Sequence, residues 1–587
     1  MNESAENGSA MSESAPQGAP GASAAPVRGR PSASVFFAVA FLVIALAAAL
    51  RFLFISRFEV WLDEGYCFMV ARKHLSAILA DLAFDNGPPL YYIMLHYWMR
   101  LFGESAAALR SLSAVFSVAT VAAVVFWDTP WFSRTARLFA GFILAITPLA
   151  IYYAQETRMY SPVVFFVVLS MIFLERGLRT GSFRSWAFCA LSTALALYTS
   201  YASFFVLPAG YVAVCVAHVV RADAVLLRRR LIGIVSAHVA AAILFAPWIP
   251  TLLKQPSAKA VQWIRPRWQN DEHRRFLPLL SLSTMTTGGA QYPMYLRNLS
   301  IDQERLTRIR QAIADGTETR WQLKVLTKIP LILPLVLMAL LAAFMLFMAL
   351  WRSGGAFPYR TLLVSWVLLS FLVPFAMSFL RPMFVLGRYD ITGVPAFAIL
   401  SGLGLSRMKL SFRVPALVLA ALLFVYQYGY MELWPAAKRF SPKAQDLAAI
   451  ASKGDVILAE AFEYGQLYYH FGWRRDDVKW LTFPRETASH AAWIDYDRWL
   501  LPGWHTEHAV PRMALSVEAQ KTIAEASSAI PAGGRLIVVR ATEPFWARAM
   551  DDALGPAVMA AVTSGAFEPD MNASRPDVGI VVLRKVK

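Results

Sequence analysis

Up to about residue 432 the chain alternates long apolar runs with short polar loops, and after that its character changes. The first run, Val35–Phe54, is about the length that crosses a bilayer. Its one charge, Arg51, falls near the end, where the side chain is expected to snorkel towards headgroups. Further runs lie near 106–127, 138–154, 161–175, 187–199, 203–220, 231–250, 329–350, 361–380, 389–405 and 414–431. Together they predict about eleven crossings. Leu90–Phe102 is apolar but short, which suits an interfacial or re-entrant helix. From 433 onward charges become frequent and the apolar runs shrink to strand length: Val456–Ala459, Val478–Phe483, Leu536–Val539 and Val578–Leu583. Helix-like stretches at 462–472 and 543–554 alternate with them, the pattern of a small α/β domain. The expected architecture is an all-α polytopic membrane protein over 34–432, followed by an α/β domain over 433–587.

Composition narrows the class. The 587 residues are 57% hydrophobic and only 16% charged, more apolar surface than a soluble enzyme of this size needs. A net charge of +17 would suggest nucleic acid in a soluble protein. Here the arginines sit in short loops between apolar runs, so no nucleic-acid partner is expected. With the tail 1–33 in the cytoplasm, the inside loops hold Arg134 and Arg137, Arg176 to Arg184, Arg221 to Arg230, Arg352 and Arg360, and Arg407 to Arg413. The loop 57–105, the long segment 251–328 and the C-terminal domain then fall outside. The tail is rich in Ala, Ser, Gly and Pro and reads as disordered. It is too long, and the following run too extended, for a cleaved signal peptide. Cys67, Cys189 and Cys215 have no metal spacing, and no structural disulfide is expected.

The candidate chemistry gathers on the outer side. Asp63 and Glu64 lie just beyond the first run, and carboxylates beside hydrocarbon are costly unless they serve a site. Asp85-Asn86-Gly87-Pro88-Pro89 forms a turn that can start the next helix with proline in its first turn. Tyr152 to Tyr160 (YYAQETRMY) puts Glu156, Arg158 and Tyr160 at the outer end of another run. Arg388-Tyr389-Asp390 sits between two late runs, and its guanidinium can clamp a phosphate. The basic loop 265–310 could assist, while its Trp263, Trp268 and Tyr292 suit interfacial anchoring. Asp63, Asp85 and Glu156 could also bind a divalent ion, since hard cations prefer oxygen ligands. The histidines, His470 among them, show no ligand spacing and receive no role.

Taken together, Asp63-Glu64, Asp85-x-x-Pro-Pro-Leu-Tyr-Tyr, Phe102-Gly-Glu-Ser, Leu109-Arg-Ser, the Tyr152–Tyr160 run and Arg388-Tyr389 resemble the GT-C-type membrane glycosyltransferases. The nearest likeness is to the family 39-like bacterial members, related to protein O-mannosyltransferases and lipid A aminoarabinose transferases. The resemblance spans roughly 35–405; Gly87 departs from it, since many members carry His there. It implies sugar transfer from a polyprenyl-phosphate donor to a glycan, lipid or protein hydroxyl, on the outer face of the bacterial plasma (inner) membrane. Asp63 would be the base with Glu64 beside it. Asp85, Glu156, Arg158, Tyr160, Arg388 and Tyr389 would bind substrate. The rival reading is a transporter or flippase of lipid-linked sugars, which would place its charged residues nearer the bilayer midplane.

Overall fold

The computed structural model describes residues 31–83, 85, 87–221, 224–255, 339–351, 357–381, 383–432, 441–483, 512–540 and 544–586, with isolated positions between 268 and 337. The expected tail, most of the segment 251–328, and Arg265, Arg267, Arg275 and Arg297 lie outside these described residues.

Helix α1 (Ala33–Phe52) opens on Ser32, whose side chain accepts from the Val35 amide at 3.2 Å. Then come α2 (Leu62–Ala71), α3 (Leu75–Leu82), α4 (Leu90–Phe102), α5 (Ala106–Val125), α6 (Arg134–Ile146) and α7 (Pro148–Ala154). They are followed by α8 (Tyr160–Thr180), α9 (Phe183–Thr199), α10 (Pro208–Arg221), α11 (Ala224–Phe245) and α12 (Ile249–Lys254). Among the described residues six helical stretches are long and apolar enough to span a bilayer, seven if the bent pair α6–α7 is one span. Several other predicted crossings form shorter helices, such as Ala339–Leu350 and the 17-residue α9. Large apolar side chains face outward along these helices, Phe41 and Leu42 on α1 for example, as lipid contact requires.

The bend of 59° between α6 and α7 corrects one expectation. Pro148 has no N–H to offer Leu144, so the end of α6 has carbonyls without helical donors. Arg51 fills that gap instead of snorkelling. Its guanidinium is fully buried and donates to Ala145 O at 2.8 Å, Leu144 O at 3.1 Å and Ser117 Oγ at 2.7 Å.

The basic loops meet at the end of the bundle opposite α2. Arg134 donates to Pro31 O ahead of α1. Buried Glu175 accepts from Thr129, Trp131 and Arg179, and Trp131 stacks on Tyr359 at 5.2 Å. Arg407, closing a later helix (Val394–Arg407), donates to Ala349 O and Trp351 O. That helix crosses α6 where Gly402 meets the backbone of Ala136 and Ala140, the close approach that small residues permit between membrane helices.

The C-terminal sheet has the order β2-β1-β3-β5-β4. Here β1 is Val456–Glu460, β2 Lys479–Phe483, β3 Arg535–Val539, β4 Phe567–Pro569 and β5 Ile580–Lys585. The first three are parallel and the last two antiparallel. Helices Arg512–Ala529 and Pro544–Thr563 cover one face. The other face lies in one apolar cluster with Tyr66, Phe68 and Val70 of α2 and Leu95 of α4.

Candidate active site

The site is built on the first turn of α2. Asp63 and Glu64 occupy that turn, where carboxylates complement the helix dipole. Glu64 reaches back to the Trp61 amide at 3.4 Å. It is also gripped by Arg110 of α5, whose Nε and Nη2 donate to its two oxygens at 2.8 and 2.7 Å. The Thr157 amide adds a third donor at 2.8 Å. The other Arg110 N–H groups donate to the carbonyls of Ile55, Phe58 and Glu59, fixing the approach to α2. Glu64 is fully buried, and both its oxygens are engaged by donors inside the fold.

Asp63 points the other way and keeps some solvent access. Its Oδ2 lies 3.3 Å from Arg388 Nη2 and 3.7 Å from Arg158 Nη2. Arg158 also donates to Cys67 Sγ at 3.6 Å and lies 5.9 Å from the Tyr160 ring centroid. Its Nε is buried without a partner among the described residues. Tyr160 packs on Tyr153, and Tyr389 lies between Phe205 and Phe384. Burial pushes the Cys67 thiol up to about 12, with Arg158 pulling the other way, so Cys67 stays a neutral neighbour.

Asp85 is buried beside this cluster and accepts from the Tyr66 and Tyr92 hydroxyls, each at 3.3 Å. Burial, then the Asp85 charge, holds the Tyr66 hydroxyl well above its usual range, which keeps it a donor. Glu156 is buried too, and accepts from Tyr152 at 2.9 Å. Asp63, Arg158, Tyr160 and Arg388 therefore converge, whereas Asp85 and Glu156 are held by tyrosines. Among the described residues no three of His, Cys, Asp and Glu gather as metal ligands.

One residue had no sequence signal. Gln255, after α12, donates to Leu82 O at 2.7 Å and Gly87 O at 3.0 Å. Its own carbonyl accepts from Tyr201 at 2.7 Å. It pins the turn that carries Asp85, and only the fold brings it there.

Residues 86–250 match the profile of the family described as dolichyl-phosphate-mannose-protein mannosyltransferase. Comparison with curated protein sequences gives no match. Among solved structures, ArnT from Cupriavidus metallidurans in the apo state is similar over 94% of this chain and 97% of its own, at 14% identity and a TM-score of 0.54. The same protein bound to undecaprenyl phosphate aligns over 94% and 98%, at 15% identity and a TM-score of 0.43. An Archaeoglobus fulgidus oligosaccharyltransferase tethered with an acceptor peptide aligns over 94% and 76%, at 12% identity and a TM-score of 0.48. The chain thus has the fold of the GT-C-type membrane glycosyltransferases, and over 86–250 it is similar to the dolichyl-phosphate-mannose-protein mannosyltransferase family.

Proposed function

We propose that the chain transfers a sugar from a polyprenyl-phosphate donor to an acceptor hydroxyl, with Asp63 as the base. The observation that carries this reading is the triplet of Asp63, Arg158 and Arg388, in which two guanidinium groups face one carboxylate. The surplus positive charge suits a phosphodiester, whose single negative charge would balance the cluster. A bound phosphate takes over guanidinium hydrogen bonds and frees the Asp63 oxygens for the acceptor. The acceptor O–H proton then passes to Asp63, and its oxygen bonds to the anomeric carbon as that carbon's bond to phosphate oxygen breaks. The single displacement inverts the anomeric centre through an oxocarbenium-like state. Arg388 and Arg158 stabilise the charge that grows on the departing polyprenyl phosphate. Because that group leaves readily, no strong general acid is needed.

The surroundings support the same reading. An apolar cleft beside the α6–α7 break, lined by Ile143, Ile146, Met345, Phe397 and Leu423, suits a prenyl chain. Arginine-rich loops at the opposite end of the bundle support a cytoplasmic location for that end, and with it a site on the outer face of the plasma membrane. Tyr160 and Tyr389 orient the two arginines, and Asp85 and Glu156 lie within the hydrogen-bonded wall of the sugar site.

The test supplies purified protein in micelles with a polyprenyl-phosphate sugar and candidate acceptors, and follows release of polyprenyl phosphate. Acceptor-dependent release is expected. Movement of the lipid-linked sugar across a vesicle membrane with the glycosidic bond intact would replace this reading with that of a flippase.

A further inference from the structure

We infer that the C-terminal domain positions the catalytic aspartate, through helix α13 (Ala461–His470), which leaves β1. This rests on the reading of Asp63 as the base. α13 lies across α2, the helix whose first turn holds Asp63. The two meet at a pair of glycines: a Cβ on Gly65 would overlap the carbonyl oxygen of Gly465. A Cβ on Gly465 would come within 3.4 Å of Leu62 O and 3.5 Å of the Tyr66 amide. The backbones therefore touch with no side chain between them, two residues from Asp63.

Further contacts lock the crossing. His470 Nε2 lies 3.1 Å from the carbonyl of Val60, directly ahead of the residue that caps α2. Tyr469 donates to Glu104 O at 3.2 Å, and its ring meets Phe68 edge-on at 5.0 Å. Ile457 and Ala459 of β1 share an apolar cluster with Tyr66 and Phe68. Arg110 and Thr157 hold Glu64 from the membrane side, while His470 and Gly465 hold the same turn from the domain side. A turn fixed from both sides gives Asp63 one position relative to Arg388, and catalysis is sensitive to displacements of about 1 Å, worth about 100-fold in rate. Gly465 and His470 are thus positioning residues for the transfer step.

The full-length protein in micelles tests this with His470→Ala, His470→Gln and Gly65→Ala. His470→Ala should lower kcat by about tenfold to 100-fold while the donor KM stays within about twofold. The glutamine variant, which can still present an N–H to Val60, should recover most of the loss. Gly65→Ala should lower kcat at least as far, unless it fails to fold, in which case His470→Ala decides alone. Hydrogen exchange of the 60–66 amides should speed up in His470→Ala, a readout independent of which group is the base. Unchanged exchange and unchanged kcat in His470→Ala would overturn the inference, as would kcat and donor KM failing together without rescue by glutamine. If Asp63→Asn retains turnover while exchange responds as expected, the docking stands and the assignment of the base falls.

Discussion

Asp63 and Glu64 are adjacent in the chain and chemically alike, yet the fold gives them opposite surroundings. Glu64 is sealed into a bidentate pair with Arg110, and Asp63 faces two arginines with partial access to solvent. Replacing Asp63 by Asn removes the proposed proton acceptor and keeps the shape, so turnover should fall by about 100- to 10,000-fold, with donor binding retained. Steady-state kinetics beside a lipid-phosphate binding assay check both halves. Arg388→Ala should instead weaken donor binding by roughly 30-fold, the loss expected of one charge-assisted contact of about 2 kcal/mol. Lysine at that position should restore only part of it, because an ammonium lacks the planar fork. Near-normal donor affinity in the alanine variant would reduce Arg388 to a headgroup anchor. Glu64→Gln belongs to a different class. It leaves the Arg110 charge buried and unpaired, and should show first as lost thermal stability.

Helices that start and stop in the membrane explain what could be read from the chain and what could not. The apolar runs announced α1, α5 and α8 because each is a long uninterrupted stretch, and the alternating segments after 433 announced β1, β2, β3 and β5 at nearly their observed limits. The polar motifs at 63–64, 85–89, 152–160 and 388–389 stood out because polar residues beside hydrocarbon need a reason. Their pairing did not stand out: Asp63 and Arg388 are 325 positions apart, and no local pattern links them. Arg51 was misread for the same reason, since snorkelling is the right expectation until the break at Pro148 supplies carbonyls to cap. Arg51→Leu should therefore destabilise the fold, leaving the carbonyls of Leu144 and Ala145 buried without donors at about 1–3 kcal/mol each. The lowered midpoint of thermal unfolding in detergent measures this, and a midpoint equal to that of the unaltered protein would show that water replaces the guanidinium.

At the scale of the whole molecule, the membrane bundle and the C-terminal domain share one apolar cluster beside the turn that holds Asp63. The apolar cluster that includes Tyr66, Phe68 and Leu95 runs without interruption into Ile457, Ile537 and Val582 of the sheet. Separating the two would expose it to water, so the domain cannot swing away cheaply. His470 is the group from which a pH dependence of that junction is expected. Burial lowers its pKa from the model-compound value of 6.5, opposed by the Val60 carbonyl and the Glu59 charge, with Arg110 acting in the same direction as burial. A histidine whose folded pKa is depressed binds its proton more readily once the junction opens. Its contribution to docking is complete above about pH 6.5 and is lost as pH falls from there through the lower folded value. Protection of the 60–66 amides from exchange should accordingly decline in mildly acid buffer, and kcat should fall with it while donor affinity holds. His470→Gln cannot titrate, so it should flatten that acid limb; a limb that persists unchanged in the variant would assign the pH dependence to another group.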